Sequence, residues 1–170
     1  MRKTIALSFT ALSLLACGGG GGGSDYIPGG SGGGNSGSSF VAVKSVSADR
    51  TSISERESIQ ISWEVSFSSV NGLYTAEIYI SSTQDVPSPA YNYRLYTANC
   101  GNGSVYTCGT TGQVRCTYTA KFNGVPTFIC NTISKSIPFT GNGYLVFRAC
   151  IWDSNLRYVC NKKALPLRVN

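Results

Sequence analysis

Polar and apolar residues alternate along much of this chain with a period of two. Ile59, Ile61, Trp63, Val65 and Phe67 interleave with Ser58, Gln60, Ser62, Glu64 and Ser66. Successive side chains of a strand point to opposite faces, so this run predicts a half-buried strand. Ala76, Ile78 and Ile80 interleave with Thr75, Glu77 and Tyr79, and Val114, Cys116, Tyr118, Ala120 and Phe122 with Arg115, Thr117, Thr119 and Lys121. Further strands are expected at Tyr91–Thr97, around Phe128–Cys130, near Ile133, Ile137 and Phe139, and at Leu156–Cys160 and Leu165–Val169. Tyr144–Trp152 is nearly unbroken in apolar residues, which suits a central strand. Nowhere do apolar residues recur at helical spacing for three turns. Seven to nine short strands separated by turn residues predict a single all-β domain, an antiparallel β-sandwich over residues 40–170.

The pattern is different before residue 40. Arg2 and Lys3 precede an uncharged run, Ile5–Ala16, of signal-peptide length. It is shorter than the ~20 apolar residues that a spanning helix needs. Leu14-Leu15-Ala16-Cys17 resembles the lipobox of bacterial lipoproteins, and six glycines follow at once. The resemblance implies a signal peptide over 1–16 and a lipidated Cys17 whose acyl chains, palmitate among them, hold the protein on a membrane. Residues 18–39 are nearly all Gly and Ser. Such a composition buries too little apolar surface to fold, so a disordered tether with an r.m.s. span of ~25 Å is expected. Gly18 after the Cys fits outer-membrane sorting by the same resemblance and leaves open which face of that membrane the domain occupies. The glycine run is not a phosphate-binding loop, because no strand precedes it and no Gly-Lys-Ser/Thr ends it.

Composition narrows the chemistry. Of seven cysteines, Cys17 is taken by the lipid, leaving Cys100, Cys108, Cys116, Cys130, Cys150 and Cys160. An even number in an exported chain predicts disulfides. Zinc is disfavoured, since there is no His and no CxxC pair. Sequential pairing fits the turns. Cys150 and Cys160 are symmetric about Asn155 in a turn-forming triplet, and Cys100 and Cys108 enclose a Gly-rich loop. Cys116 and Cys130 flank Asn123-Gly124, a strong hairpin signal. A two-residue turn leaves those two one residue out of register, so a bulge or a longer loop is required. The formal charge of +6 falls to +4 once Arg2 and Lys3 leave with the signal. This mild excess leans toward the C-terminus; solvated strand faces are its ordinary reading, contact with anionic lipid or lipopolysaccharide the alternative, and nucleic-acid binding is disfavoured in an exported chain.

Ser54-Glu55 followed by Ile59-x-Ile61-x-Trp63-x-Val65 resembles the second strand of bacterial immunoglobulin-like domains. Tyr144–Asn155 with Leu165-x-Leu167-x-Val169 resembles the last hairpin of CARDB and fibronectin-III-like adhesion modules. The resemblance implies an immunoglobulin-like sandwich. It transfers no functional residues, and Arg157, Asn161, Lys162 and Lys163 stand where those modules often carry an acidic segment. Trp63 and Trp152 are expected as core residues.

Catalysis finds little support. Without His there is no Ser-His or Cys-His pair. Glu55 and Glu57 fall on one side of an extended chain, yet they flank Arg56 in a polar turn, where solvated charge is the ordinary reading. No catalytic residue, cofactor or metal ligand is assigned. The expected role is a lipid-anchored binding or adhesion module for a protein or glycan. Its recognition residues are Tyr91, Tyr93 and Tyr96 of the tyrosine-rich strand with Asn102 and Tyr106 of the loop 100–108. The alternatives are a subunit of an envelope machine (secretion, pilus or outer-membrane assembly) pairing through a sheet edge, and a small disulfide-rich enzyme inhibitor.

Overall fold

The computed structural model describes residues 38–103 and 106–170, less the side chains of Lys121 and Phe122. The signal peptide, Cys17 and the tether up to residue 37 lie outside the described residues. Ten strands and one helical turn follow in chain order: β1 Phe40–Ala48, β2 Ser52–Ile53, β3 Ser58–Ser68, β4 Leu73–Ser81, α1 Ala90–Tyr93, β5 Arg94–Gly101, β6 Thr111–Phe122, β7 Val125–Cys130, β8 Ile133–Ser136, β9 Gly141–Trp152 and β10 Tyr158–Val169. They form two five-stranded sheets, β1-β3-β6-β7-β8 and β2-β10-β9-β4-β5, in a β-sandwich.

The strand with the clearest alternation, β3, is buried at Ile59, Ile61, Trp63 and Val65, and its polar partners face outward. Its indole lies at the centre of the core. It stacks on Phe147 at 5.1 Å between ring centroids and meets Tyr96 at 6.1 Å. Trp63 pairs across the ladder with Gly112, where an added Cβ would collide with the indole. Glycine is required there for the ring to lie flat across β6. The apolar run of β9 is indeed central, between β10 and β4.

Four features depart from the expected layout. The first strand, β1, carries a bulge between Val43 and Ser45, which shifts buried Val41 and Val43 out of phase with Val46 and Ala48. Alternation is lost to the eye because an inserted residue reverses the side-chain parity. The sheets are not wholly antiparallel: β2 meets the end of β10 in a two-residue parallel ladder, Arg168↔Ser52 and Val169↔Ile53. Here the connection from β1 to β3 leaves one sheet, touches the other, and returns. Tyr91–Thr97 is not one strand, since Tyr91 and Tyr93 sit in α1 after Pro89 and the strand begins at Arg94. Leu156–Cys160 and Leu165–Val169 belong largely to one continuous strand, β10.

Three disulfides staple neighbouring segments: Cys100–Cys108, Cys116–Cys130 and Cys150–Cys160. The last two join directly opposed residues, with Cα atoms 4.1 Å apart. The register of Cys116 and Cys130 is reached by a two-residue turn plus a bulge. Asn123 and Gly124 take φ of 51° and 79°, the left-handed pair of a tight hairpin turn, and the ladder slips between Tyr118 and Ala120. Thr119, the extra residue, donates its hydroxyl to the Thr127 carbonyl.

On one side the sheets are tied edge to edge. Asn161 Oδ1 accepts from the Val43 amide at 3.0 Å, and Lys163 Nζ donates to the Lys44 carbonyl at 2.6 Å. At the far edge, β8 is four residues long and sets Lys135 opposite buried Phe128. A short edge strand carrying a charge on its core-facing side resists pairing with another chain.

Candidate functional site

The strand directions give the sandwich two ends. The chain enters β1 at one of them, the proximal end. Phe40 pairs with Ser68 there, and the β3–β4, β5–β6 and β9–β10 connections converge on the same end. The distal end carries the β1–β3 connection, the β4–β5 loop, and the β6–β7 and β8–β9 connections.

The distal end is concave and polar. The β4–β5 loop, residues 82–93, leans over the outer face of its sheet, where Asp85 pairs with Lys162 of β10. Beneath it the face is closed by a cross-strand row. Glu77, 4 % exposed, is held by Arg94 at 2.9 Å and by Arg148 Nε at 2.8 Å. Arg148 also donates to the Tyr79 hydroxyl at 2.7 Å and lies over its ring. Burial, reinforced by the Glu77 carboxylate, pushes the Tyr79 hydroxyl up to about 12. The two arginines make the burial of Glu77 beneath this loop tolerable, because a buried carboxylate needs charged partners.

Two clefts open beside this loop. One, about 440 Å³, is lined by Ser81–Thr83, Val86–Ser88, Tyr93, Pro138 and Phe139. The other, about 530 Å³, is lined by Thr51, Ser82, Asn142–Tyr144 and Pro166–Arg168. They share Ser82. Tyr91 stands nearby on α1, 64 % exposed. The β1–β3 connection adds Asp49, Arg50, Glu55, Arg56 and Glu57. Glu57 accepts the Ser54 amide at 2.6 Å and pairs with Arg50 at 3.4 Å. Its carboxylate thus closes the turn that it sits in and has no acidic partner facing it.

The proximal end is built differently. Its turns satisfy their own backbone. Ser69 Oγ both donates to the Leu73 carbonyl and accepts from the Leu73 amide. Asp153 Oδ1 accepts the amides of Asn155 and Arg157, and its Oδ2 pairs with the Arg157 guanidinium. The Arg157 amide, against the opposing effect of burial and aided by the Arg157 side chain and the Asn155 amide, holds the Asp153 carboxyl below its ordinary value. Inside the same end, Trp63 Nε1 donates to the Tyr74 hydroxyl at 3.1 Å, which donates to the Gly109 carbonyl at 2.8 Å and so anchors the β5–β6 loop. Beside polar Asn71, Ser154, Asn155 and Arg157, these turns expose two apolar side chains: Val70 is 70 % exposed and Leu156 79 %. Leu156 also has a φ of 58°, a left-handed conformation that costs a non-glycine residue about 1 kcal/mol.

The structure scatters the five residues expected to form a recognition surface. Tyr91 and Tyr93 are at the distal end, while Asn102 and Tyr106 lie in the β5–β6 loop at the proximal end. Tyr96 is a core residue against Trp63. The cause is the helical turn α1, which ends the supposed tyrosine strand at Tyr93 and leaves only Tyr96 in β5. Trp63 is in the core as expected, but Trp152 is not. It is 51 % exposed and packs its ring 5.0 Å from that of exposed Tyr158. Leu145, Phe147, Ala149 and Ile151 take the inner face of β9, so Trp152 falls on the outer face with Arg148 and Cys150. Arg148, four residues before it, was the signal that fixes this parity. The apolar turn residues Val70 and Leu156 carried a signal too, since each stands in a polar turn that requires neither.

No family model matches the chain, and no curated protein matches it closely enough to place it in a family.

Proposed function

We propose that this protein is a lipid-anchored extracytoplasmic binding module, immunoglobulin-like in type, held at the bacterial outer membrane by acyl chains on Cys17 and without catalytic activity of its own. It binds a protein or glycan partner through its distal end. The observation that carries this reading is the pair of clefts meeting at Ser82 beside exposed Tyr91. Concave sites that combine aromatic side chains with a few polar groups are the ordinary form of a binding site, and tyrosine offers contact area at low entropic cost. The lipobox-like segment, the six disulfide-bonded cysteines and the absence of histidine from the sequence support an exported, non-catalytic role. An envelope subunit that pairs through an edge of the first sheet draws less support, because β8 is short and guarded by Lys135 and because β1 is bulged and tied to β10.

The test is capture of partners by the full-length protein from detergent-solubilised envelopes, wild type against Tyr91→Ala with Tyr93→Ala. Truncating an aromatic anchor at an interface typically weakens binding about tenfold or more. Loss of the captured partner in the double variant supports the distal site. Unchanged capture overturns it. Protease treatment of intact cells separates surface display, in which the domain is lost, from a periplasmic position, in which it is protected.

A further inference from the structure

We propose that the proximal end of the sandwich is a bilayer-docking face, which lies on the membrane that holds Cys17 and so presents the distal clefts outward. The inference rests on the lipid-anchor reading above. Eight large apolar side chains are exposed among the described residues, and five of them belong to this end: Phe40, Val70, Trp152, Leu156 and Tyr158. Strand ends need turns, but they do not need Leu or Val in them. Leu156 is doubly unexpected, being both solvent-exposed and in a left-handed conformation. Residues held against local preference point to a use beyond folding.

The chemistry of the face suits the boundary between headgroups and acyl chains. Trp and Tyr favour the headgroup level, and Leu and Val favour the layer beneath it. The connections at this end carry two charged residues, Asp153 and Arg157, and these neutralise each other at 2.7 Å. The opposite end carries Asp49, Arg50, Glu55, Arg56, Glu57 and Asp85 in its connections. Connections whose one carboxylate is paired neither repel an anionic leaflet nor strongly resist desolvation against it.

Where the chain enters the domain decides the occupant. The 22 residues of the linker, Gly18–Ser39, run into Phe40, which is itself at the proximal end. Attachment through a Gly/Ser segment of that length holds the domain within tens of ångströms of the bilayer. The effective concentration is then on the order of millimolar, so shallow contacts that would be weak in solution are sufficient. A soluble protein or a glycan at this face would gain nothing from that proximity.

The experiment uses the full lipidated protein in vesicles of phosphatidylethanolamine and phosphatidylglycerol, with and without bromine on the acyl chains. Bromine quenches tryptophan on contact. The two tryptophans report separately, since Trp63 is 3 % exposed and Trp152 faces solvent, and Trp152→Phe isolates the Trp63 signal. The expected result is quenching and a blue shift of Trp152 with Trp63 unaffected. Val70→Asp with Leu156→Asp abolishes that quenching while the protein stays with the vesicles, and high salt leaves wild-type quenching unchanged. Trp63 emission in the double variant verifies that the core is intact. Trp152 quenched no more than Trp63 in the wild type, or quenching that survives the double variant, overturns the proposal. Fractionation of Cys17→Ala tests the anchor separately. Persistence of that variant in the membrane sinks the lipid-anchor reading whatever Trp152 shows.

Discussion

At one end of the sandwich Phe40, Val70 and Leu156 are exposed; at the other Asp49, Glu55, Arg56 and Tyr91 are. Both ends close the same strands over the same core, so the contrast does not come from the demands of the β ladders. The proximal β3–β4 and β9–β10 turns are short and satisfy their own amides through Ser69 and Asp153. The distal β1–β3 and β4–β5 connections are longer excursions that carry β2 and α1 and use charge to hold their shape: Glu57 on the Ser54 amide, Asp49 on the Gln60 amide and Asp85 on Lys162. Charge at Asp49, Glu57 and Asp85 thus has a structural explanation. Val70 and Leu156 satisfy no such need in the proximal turns, and the proposed division into a recognition end and a docking end rests on this asymmetry.

The contrast can be broken or sharpened by substitution. Trp63→Ala removes the ring on which Phe147 and Tyr96 pack and leaves the Tyr74 hydroxyl without its donor. It should cost about 3–5 kcal/mol in denaturant unfolding. Both ends should melt together, because they share that core, and separate transitions would show that they do not. Replacing Cys150 and Cys160 together by Ala opens a cross-link that spans ten residues of sequence. We expect a loss of about 2–3 kcal/mol. Amide exchange should rise in the β9–β10 hairpin while residues 49–57 keep their protection. The corresponding distal change is Glu57→Ala, which frees the Ser54 amide and should cost about 1 kcal/mol, with faster exchange confined to that turn. Smallest is Leu156→Asn. Asn tolerates the left-handed conformation better than Leu, so a gain of about 0.5 kcal/mol is expected in thermal unfolding. A stability gain joined to weaker membrane contact would show that Leu156 is held there for something other than folding.

Local arithmetic made much of the fold legible. The period of two in β3 needs only neighbouring residues, and its core assignment stands. The turn at Asn123-Gly124 and the one-residue mismatch between Cys116 and Cys130 together demanded a bulge or a longer loop, and the structure uses a bulge at Thr119. Cys150 and Cys160 face each other because their sequence positions mirror about the hairpin tip. The site was far less legible. Tyr91, Tyr93 and Tyr96 are close in sequence, yet a single helical turn after Pro89 sends the first two to the distal clefts and the third into the core.

The sequence by itself determined the alternating strands β3 and β6, the apolar strand β9 and the Asn123-Gly124 turn, and it favoured the sequential cysteine pairs, because each follows from backbone geometry over a few neighbouring residues. Only the tertiary structure decided which end receives the linker, that Trp152 faces solvent, and that Glu77 is enclosed by Arg94, Arg148 and the loop above it. Those outcomes depend on side-chain parity across paired strands and on contacts between residues far apart in sequence, such as Arg148 and Glu77, 71 positions apart. No short window of sequence contains both partners of such a contact.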